Sequence, residues 1–128
     1  MSKGYKFLSN ISDKQIKCVL RKRKLYSVMT NELDPDTVFL NYDNKIIGYY
    51  LISNEPNNRL SIDRFEIFAD FEKRGHGTYM LNYITRQNPN RLIVAIPDNN
   101  RAKEFFVKRG FEIVELPQFE MFELHLNT

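Results

Sequence analysis

Cysteine is almost absent from this chain, tryptophan is absent altogether, and histidine occurs twice in 128 residues. The lone Cys18 cannot close an internal disulfide, so a buried core must hold the fold, and this cysteine usage fits a reducing, cytoplasmic setting. Cys18 stands among Ile16, Val19 and Leu20, a context that reads as a buried structural thiol rather than a nucleophile. His76, His125 and Cys18 are too dispersed to make a metal motif, so no metal is expected. There is no serine–histidine–aspartate pattern of the nucleophile-elbow type. No apolar run approaches the roughly 20 residues that a membrane-spanning helix needs, and Met1 to Gly4 hold no apolar leader core, so no membrane partner is expected. Charge of one sign is scarce as well. A formal net charge of +3 is compatible with a polyanionic ligand but far from that of a dedicated nucleic-acid binder. The dense basic run Arg21 to Lys24 reads first as the solvated end of a helix, where cations suit the dipole, with a nucleic-acid patch as the weaker reading.

What the chain does have is apolar and aromatic. Hydrophobic residues make up 42%, with ten Phe and seven Tyr, enough for one core and a single domain over residues 1–128. Tyr5 to Leu8 reads as a strand. Ser12 and Gln15 form a capping box, and Ile16, Val19 and Leu20 give the helix behind it an apolar face as far as about Arg23. Leu25 to Glu32 is a second helix, stopped by Pro35. Val38 to Leu40, Lys45 to Ile52 and Leu60 to Phe68 then alternate as strands of an antiparallel meander, with the first turn at Asp43-Asn44. A helix from Gly75 to Thr85 or Arg86 leads to the unbroken apolar run Leu92 to Ile96, a strand of the kind buried on both faces. Ala102, Phe105 and Phe106 mark the buried face of the next helix, and Gly110 caps its end. Phe111 to Leu116 and Met121 to Leu126 are the last two strands. They offer an edge through which a dimer could pair, with the oligomeric state left open. The order β-α-α-β-β-β-α-β-α-β-β implies an α+β fold, a mixed and mostly antiparallel sheet flanked by helices.

The stretch Glu72-Lys73-Arg74-Gly75-His76-Gly77-Thr78 joins a strand to a helix. Glycines there let backbone N–H groups turn inward, and the first helical turn adds unpaired N–H groups and a positive dipole end. His76, between the glycines, reads as a spacer whose imidazole faces out and which contributes its N–H. Upstream, Asp63-Arg64-Phe65-Glu66-Ile67 is a strand with an acid near its start. Downstream, Asn99 to Phe111 follows the pattern Asn-x-x-Ala and closes on Gly110-Phe111, one helix and one buried strand away.

In these paired motifs and their spacing, the chain from Ser61 onward resembles the GNAT superfamily of acyl-CoA-dependent N-acyltransferases. The resemblance implies acetyl-CoA as co-substrate and a primary amine, of a small molecule or of a protein, as acceptor, attacking directly in a ternary complex. It implies that Lys73, Arg74, Gly75, His76, Gly77 and Thr78 cradle the CoA pyrophosphate, and that backbone N–H groups around Phe65 and Ile67 hold the acyl carbonyl and the pantetheine arm. It adds Asn99 as a further contact to that arm, and Arg101 and Lys103 as partners for phosphates. Asp63 stands four residues before Ile67, where the family is often acidic, and is the candidate base, directly or through a water. The other reading of Asp63 is a surface acid paired with Arg64 or Arg59. Two positions depart from the pattern. Glu72 stands where the family has Arg or Gln, and Phe106 stands where it often has a Tyr that protonates the departing thiolate. These departures keep a second reading in view, a CoA-binding regulatory module with weak or no catalysis. Tyr49, Tyr50 and Tyr83 are the hydroxyls that could substitute for the missing one.

Overall fold

A computed structural model describes residues 4–22 and 34–128. The helix expected at Leu25 to Glu32, and Arg23 and Lys24 of the basic run, lie outside the described residues. The elements are β1 (Tyr5–Leu8), α1 (Asp13–Lys22), β2 (Val38–Tyr42), β3 (Lys45–Glu55), β4 (Arg59–Ile67), α2 (His76–Gln87), β5 (Leu92–Ala95), α3 (Asn100–Lys108), β6 (Glu112–Leu116) and β7 (Met121–Asn127). Short 3-10 turns occupy Ala69–Phe71 and Pro117–Phe119. The seven strands hydrogen-bond in the order β1-β2-β3-β4-β5-β7-β6. β1–β2, β2–β3, β5–β7 and β6–β7 are antiparallel. β4 and β5 are parallel from Arg59↔Leu92 to Ile62↔Ala95, after which β4 runs on to Ile67.

The chain divides into two compact units, residues 1–51 with 64–80, and residues 52–63 with 81–128. In the first, the capping box forms as spaced. Gln15 N–H donates to Ser12 Oγ at 3.2 Å, and Ser12 N–H donates to Gln15 Oε1 at 2.9 Å. The β2–β3 turn holds Asp43 at φ 52° and Asn44 at φ 62°, the left-handed pair a tight hairpin requires. A cluster of Val19, Phe39, Tyr49 and Phe68 packs α1 on the sheet, with Leu8, Ile11, Ile46 and Phe71 around it. Fully burying each such side chain is worth about 1.5–3 kcal/mol, against roughly 0–1 kcal/mol for an exposed ion pair, so this cluster rather than surface charge fixes α1. Cys18, on the same helix, is half-buried rather than buried. At Gly48 any Cβ would collide with the Glu66 carbonyl and the Ile67 side chain, so β3 and β4 approach there only because the residue is glycine.

In the second unit Leu60, Ile62, Leu81, Ile84, Ile93, Val94, Ala95, Phe106, Phe111 and Leu124 are buried. β5 stops one residue earlier than its apolar run suggests. It ends at Ala95, and Ile96 is exposed ahead of Pro97. Across the strands, Arg59 Nη2 donates to Glu123 Oε1 at 3.2 Å, and His125 Nε2 lies 3.0 Å from the same oxygen.

Candidate active site

The path from β4 into α2 is held at each step by backbone bonds. Phe68 N–H donates to the Ile47 carbonyl at 2.8 Å, which ties the end of β4 to β3, and Phe71 N–H closes the 3-10 turn on the Phe68 carbonyl at 2.8 Å. Glu72 N–H follows, donating to the Ala69 carbonyl at 3.3 Å. The chain then takes two left-handed residues, Lys73 at φ 63° and Gly75 at φ 84°. Tyr79 N–H donates to the Gly75 carbonyl at 3.0 Å, the first i to i−4 bond of α2, so Gly75 is the residue that starts the helix. Among the described residues, chain neighbours aside, no heavy atom lies within 4 Å of where a Gly75 Cβ would stand. Lys73 and Arg74 are exposed beside it, while Gly77 and Thr78 are half-buried in the first turn. A helix start with alternating left-handed backbone, open space at the glycine and two flanking cations suits a diphosphate, so the residues present fit the phosphate portion of CoA.

His76 corrects the expectation of an outward imidazole. It is 6% exposed, and its Nδ1 lies 2.6 Å from the Tyr5 hydroxyl. Tyr42 leans on the same ring at a centroid distance of 4.8 Å. Burial first, and the Arg74 charge second, lower the His76 pKa below its ordinary value of 6.5. Burial, with Tyr42 and Tyr79 adding to it, raises that of Tyr5. Both groups are therefore neutral at pH 7. Tyr5 went unread in the sequence because nothing local marks it: it stands 71 residues from its partner.

On β4 the acids diverge. Asp63 is exposed and accepts a 2.8 Å hydrogen bond from the Ser61 hydroxyl two residues back on the strand. Arg59 does not serve it; that guanidinium pairs with Glu55 and Glu123. Glu66 is half-buried and accepts from the Tyr49 hydroxyl at 3.0 Å, so Tyr49 directs its proton to a carboxylate. Phe65 and Ile67, on either side of Glu66, are half-buried.

In the second unit, Asn99 is the N-cap of α3. Its Oδ1 accepts from Ala102 N–H at 2.8 Å, with φ −158° and ψ 173°. Phe106 is buried, edge-on to Phe105 at 5.3 Å and to Phe111 at 5.1 Å. Lys103 Nζ sits 4.8 Å from the centre of the Phe122 ring, and Arg101 is exposed in the first turn of α3.

A glycine loop running into a helix, and a mixed sheet with one parallel pair, β4–β5, among the described strands, give the class of fold. The chain belongs to the acetyltransferase (GNAT) family, whose model matches residues 9–111. Over 52 residues it is 35% identical to an uncharacterized N-acetyltransferase of Staphylococcus saprophyticus, a match covering 41% of this chain and about a third (34%) of that relative. Among solved structures, the Bacillus subtilis N-acetyltransferase YlbP in complex with coenzyme A aligns with a TM-score of 0.72 at 15% identity, covering 97% of both chains. An acetyltransferase from Thermus thermophilus aligns with the same TM-score of 0.72, at 17% identity and 97% of both chains. Arabidopsis thaliana Naa50, in complex with the bisubstrate analogue CoA-Ac-MVNAL, aligns at 0.64 with 16% identity, covering 98% of this chain and 99% of that one.

Proposed function

We propose that this protein is an N-acetyltransferase that passes an acetyl group from acetyl-CoA to a primary amine of a small molecule or protein, by direct attack within a ternary complex. The observation that carries the reading is the open, glycine-started N-terminus of α2, with Gly75 at φ 84° and Lys73 and Arg74 beside it. Family membership over residues 9–111 supports it, as do YlbP, solved with coenzyme A, and Naa50, solved with a CoA–acetyl–peptide conjugate.

Acetyl-CoA supplies a thioester whose carbonyl carbon an amine can attack. The chain's own residues then have separate tasks. Backbone N–H groups of the loop from Lys73 to Thr78 bind the diphosphate, and Lys73 and Arg74 add positive charge. N–H groups of β4 around Phe65 and Ile67 orient the acyl carbonyl and the pantetheine arm, to which Asn99 adds a contact through its amide. A lysine-like ammonium has a pKa near ~10.4, so only about one molecule in a few thousand is neutral at pH 7. Asp63 takes the surplus proton, directly or through a water, with the Ser61 hydroxyl holding its Oδ1. Phe106 has no proton to give. A thiol pKa near ~8.5 lets the thiolate leave without full protonation, so the phenylalanine slows turnover rather than abolishing it.

The test is to mix the protein with acetyl-CoA and a panel of amines and peptides and follow free thiol. Acceptor-dependent release is expected, and Asp63→Asn is expected to lower kcat/KM by about 10²–10⁴-fold with CoA binding retained. Tight CoA binding without acceptor-dependent thiol release, untouched by Asp63→Asn, would favour the regulatory module instead.

A further inference from the structure

The loop that starts α2 turns at Gly75, where among the described residues only chain neighbours stand near a Cβ position, so its flanks set its orientation. On one flank Phe68 and Phe71 enter the α1 cluster. On the other, β1 reaches the helix through two rings: Phe7 lies parallel to Tyr79 at 6.0 Å, and Tyr5 sits closer. The Tyr5 hydroxyl meets His76 Nδ1 at 2.6 Å, and the Tyr5 ring stacks on Tyr79 with centroids 3.8 Å apart and planes within 9°. Tyr42, the register partner of Tyr5 on β2, closes the group at 4.6 Å from the Tyr5 ring and 4.8 Å from the His76 ring. Tyr5 thus touches residues in the first and second turns of α2, and its hydroxyl bonds the residue between the two loop glycines.

We propose that Tyr5 is a positioning residue for the CoA-phosphate loop, its hydroxyl acting through the His76 imidazole to hold the His76 and Gly77 N–H groups in the orientation that receives the diphosphate. This rests on the reading of the loop given above. The physical reason is preorganisation. A loop fixed before binding loses less freedom when the ligand arrives, and a hydrogen bond to a buried ring fixes orientation where ring stacking alone permits sliding. The neutral state of both partners suits this role, because a neutral imidazole with its proton on Nε2 offers Nδ1 as acceptor to the tyrosine. Arg74 on the loop is the charge that acts on His76.

Tyr5→Phe keeps the ring stack and removes only the hydroxyl. Calorimetric titration with CoA is expected to show a Kd raised about 3- to 10-fold. Steady-state assays are expected to show KM for acetyl-CoA raised in parallel, with kcat within about 2-fold. His76→Leu is expected to weaken CoA as much, and the double variant no more than either single one. A packing role would lower Tm and leave the CoA Kd unchanged well below the transition, which overturns the proposal. So does a Tyr5→Phe effect that persists in full in the His76→Leu background, or unchanged CoA affinity in His76→Leu alone should Tyr5→Phe not fold. Wild-type protein that fails to bind CoA at all overturns the loop reading itself. Wild-type binding with an unaffected Tyr5→Phe overturns only the positioning role.

Discussion

The helices that precede and follow β5 begin in opposite ways. α3 is closed by its own chain: Asn99 Oδ1 satisfies the Ala102 N–H at 2.8 Å. α2 begins at Gly75, which has no side chain to offer and stands at φ 84° with open space where a Cβ would be. An N-cap side chain normally occupies one of the donors that a helix start leaves over. Where glycine takes that place, it has no side chain of its own to occupy such a donor. On the proposed reading the contrast favours α2 as the anion-receiving end, while the structure gives Asn99 a capping task. Gly75→Pro breaks this comparison most sharply. Proline fixes φ near −65°, which cannot be reconciled with a left-handed residue, so the loop must rearrange and CoA affinity is expected to fall by on the order of 10²-fold or more. Asn99→Ala is expected to cost about 0.5–2 kcal/mol of stability while weakening CoA by only about 3-fold or less. Thermal melts and CoA titrations on the two variants check both halves, and a reversed pattern would mean the anion-receptive end is that of α3.

The two units also differ in how acid attacks them. His76 has a folded pKa below its ordinary value of 6.5, so its stabilising neutral state is fully present above that pH. Its contribution is lost as pH falls from 6.5 through the lower folded value. Glu123 is held below its ordinary 4.5, chiefly by the His125 hydrogen bond, with Arg59 adding to it against opposing desolvation. Its contribution is present above 4.5 and is lost only as pH falls beneath that. Urea midpoints measured from about pH 7 down to about pH 3 are therefore expected to decline in two stages. His76→Leu is expected to flatten the stage just below pH 6.5, and Glu123→Gln the stage below 4.5. A His76→Leu profile parallel to wild type down to about pH 5 would show that the buried imidazole carries no such linkage.

Much of this was legible because it is local. Ser12 and Gln15 cap each other three residues apart, and Asp43 and Asn44 supply adjacent left-handed residues. In each case the residue types and the spacing contain the whole interaction. The strand before the glycine loop and the helix behind it are legible on the same footing. What escaped was set by register between distant segments. Outward exposure of His76 is the ordinary expectation at a helix start, but β1 pairs with β2 so that Tyr5 and Tyr42 lie opposite each other and cover the ring. Arg59 bonds Glu123 from 64 residues away, and the insertion of β7 between β5 and β6 has no local signature. Gly48 reads as an ordinary strand glycine until the Glu66 carbonyl and Ile67 are placed against it.

Glu72 gives the smallest effect and the finest test of the open helix start. It stands where the family has Arg or Gln, its backbone is extended at φ −68° and ψ 161°, and its N–H is already committed to the Ala69 carbonyl. Its amide therefore closes the 3-10 turn, and on the proposed reading its side chain adds a negative charge near the diphosphate. That charge is half-exposed and screened, so its repulsion is worth about 0–1 kcal/mol. Removing it as Glu72→Gln is expected to leave the CoA Kd unchanged or tighten it by up to about 5-fold. The gain should be larger at low salt, because screening hides the charge at high salt. If binding instead depended on side chains rather than on backbone N–H groups from Lys73 to Thr78, Glu72 would be holding Lys73 or Arg74 in place. Glu72→Gln would then weaken CoA, and the contrast between a ligand-ready α2 and a self-capped α3 would have to be rebuilt around those cations.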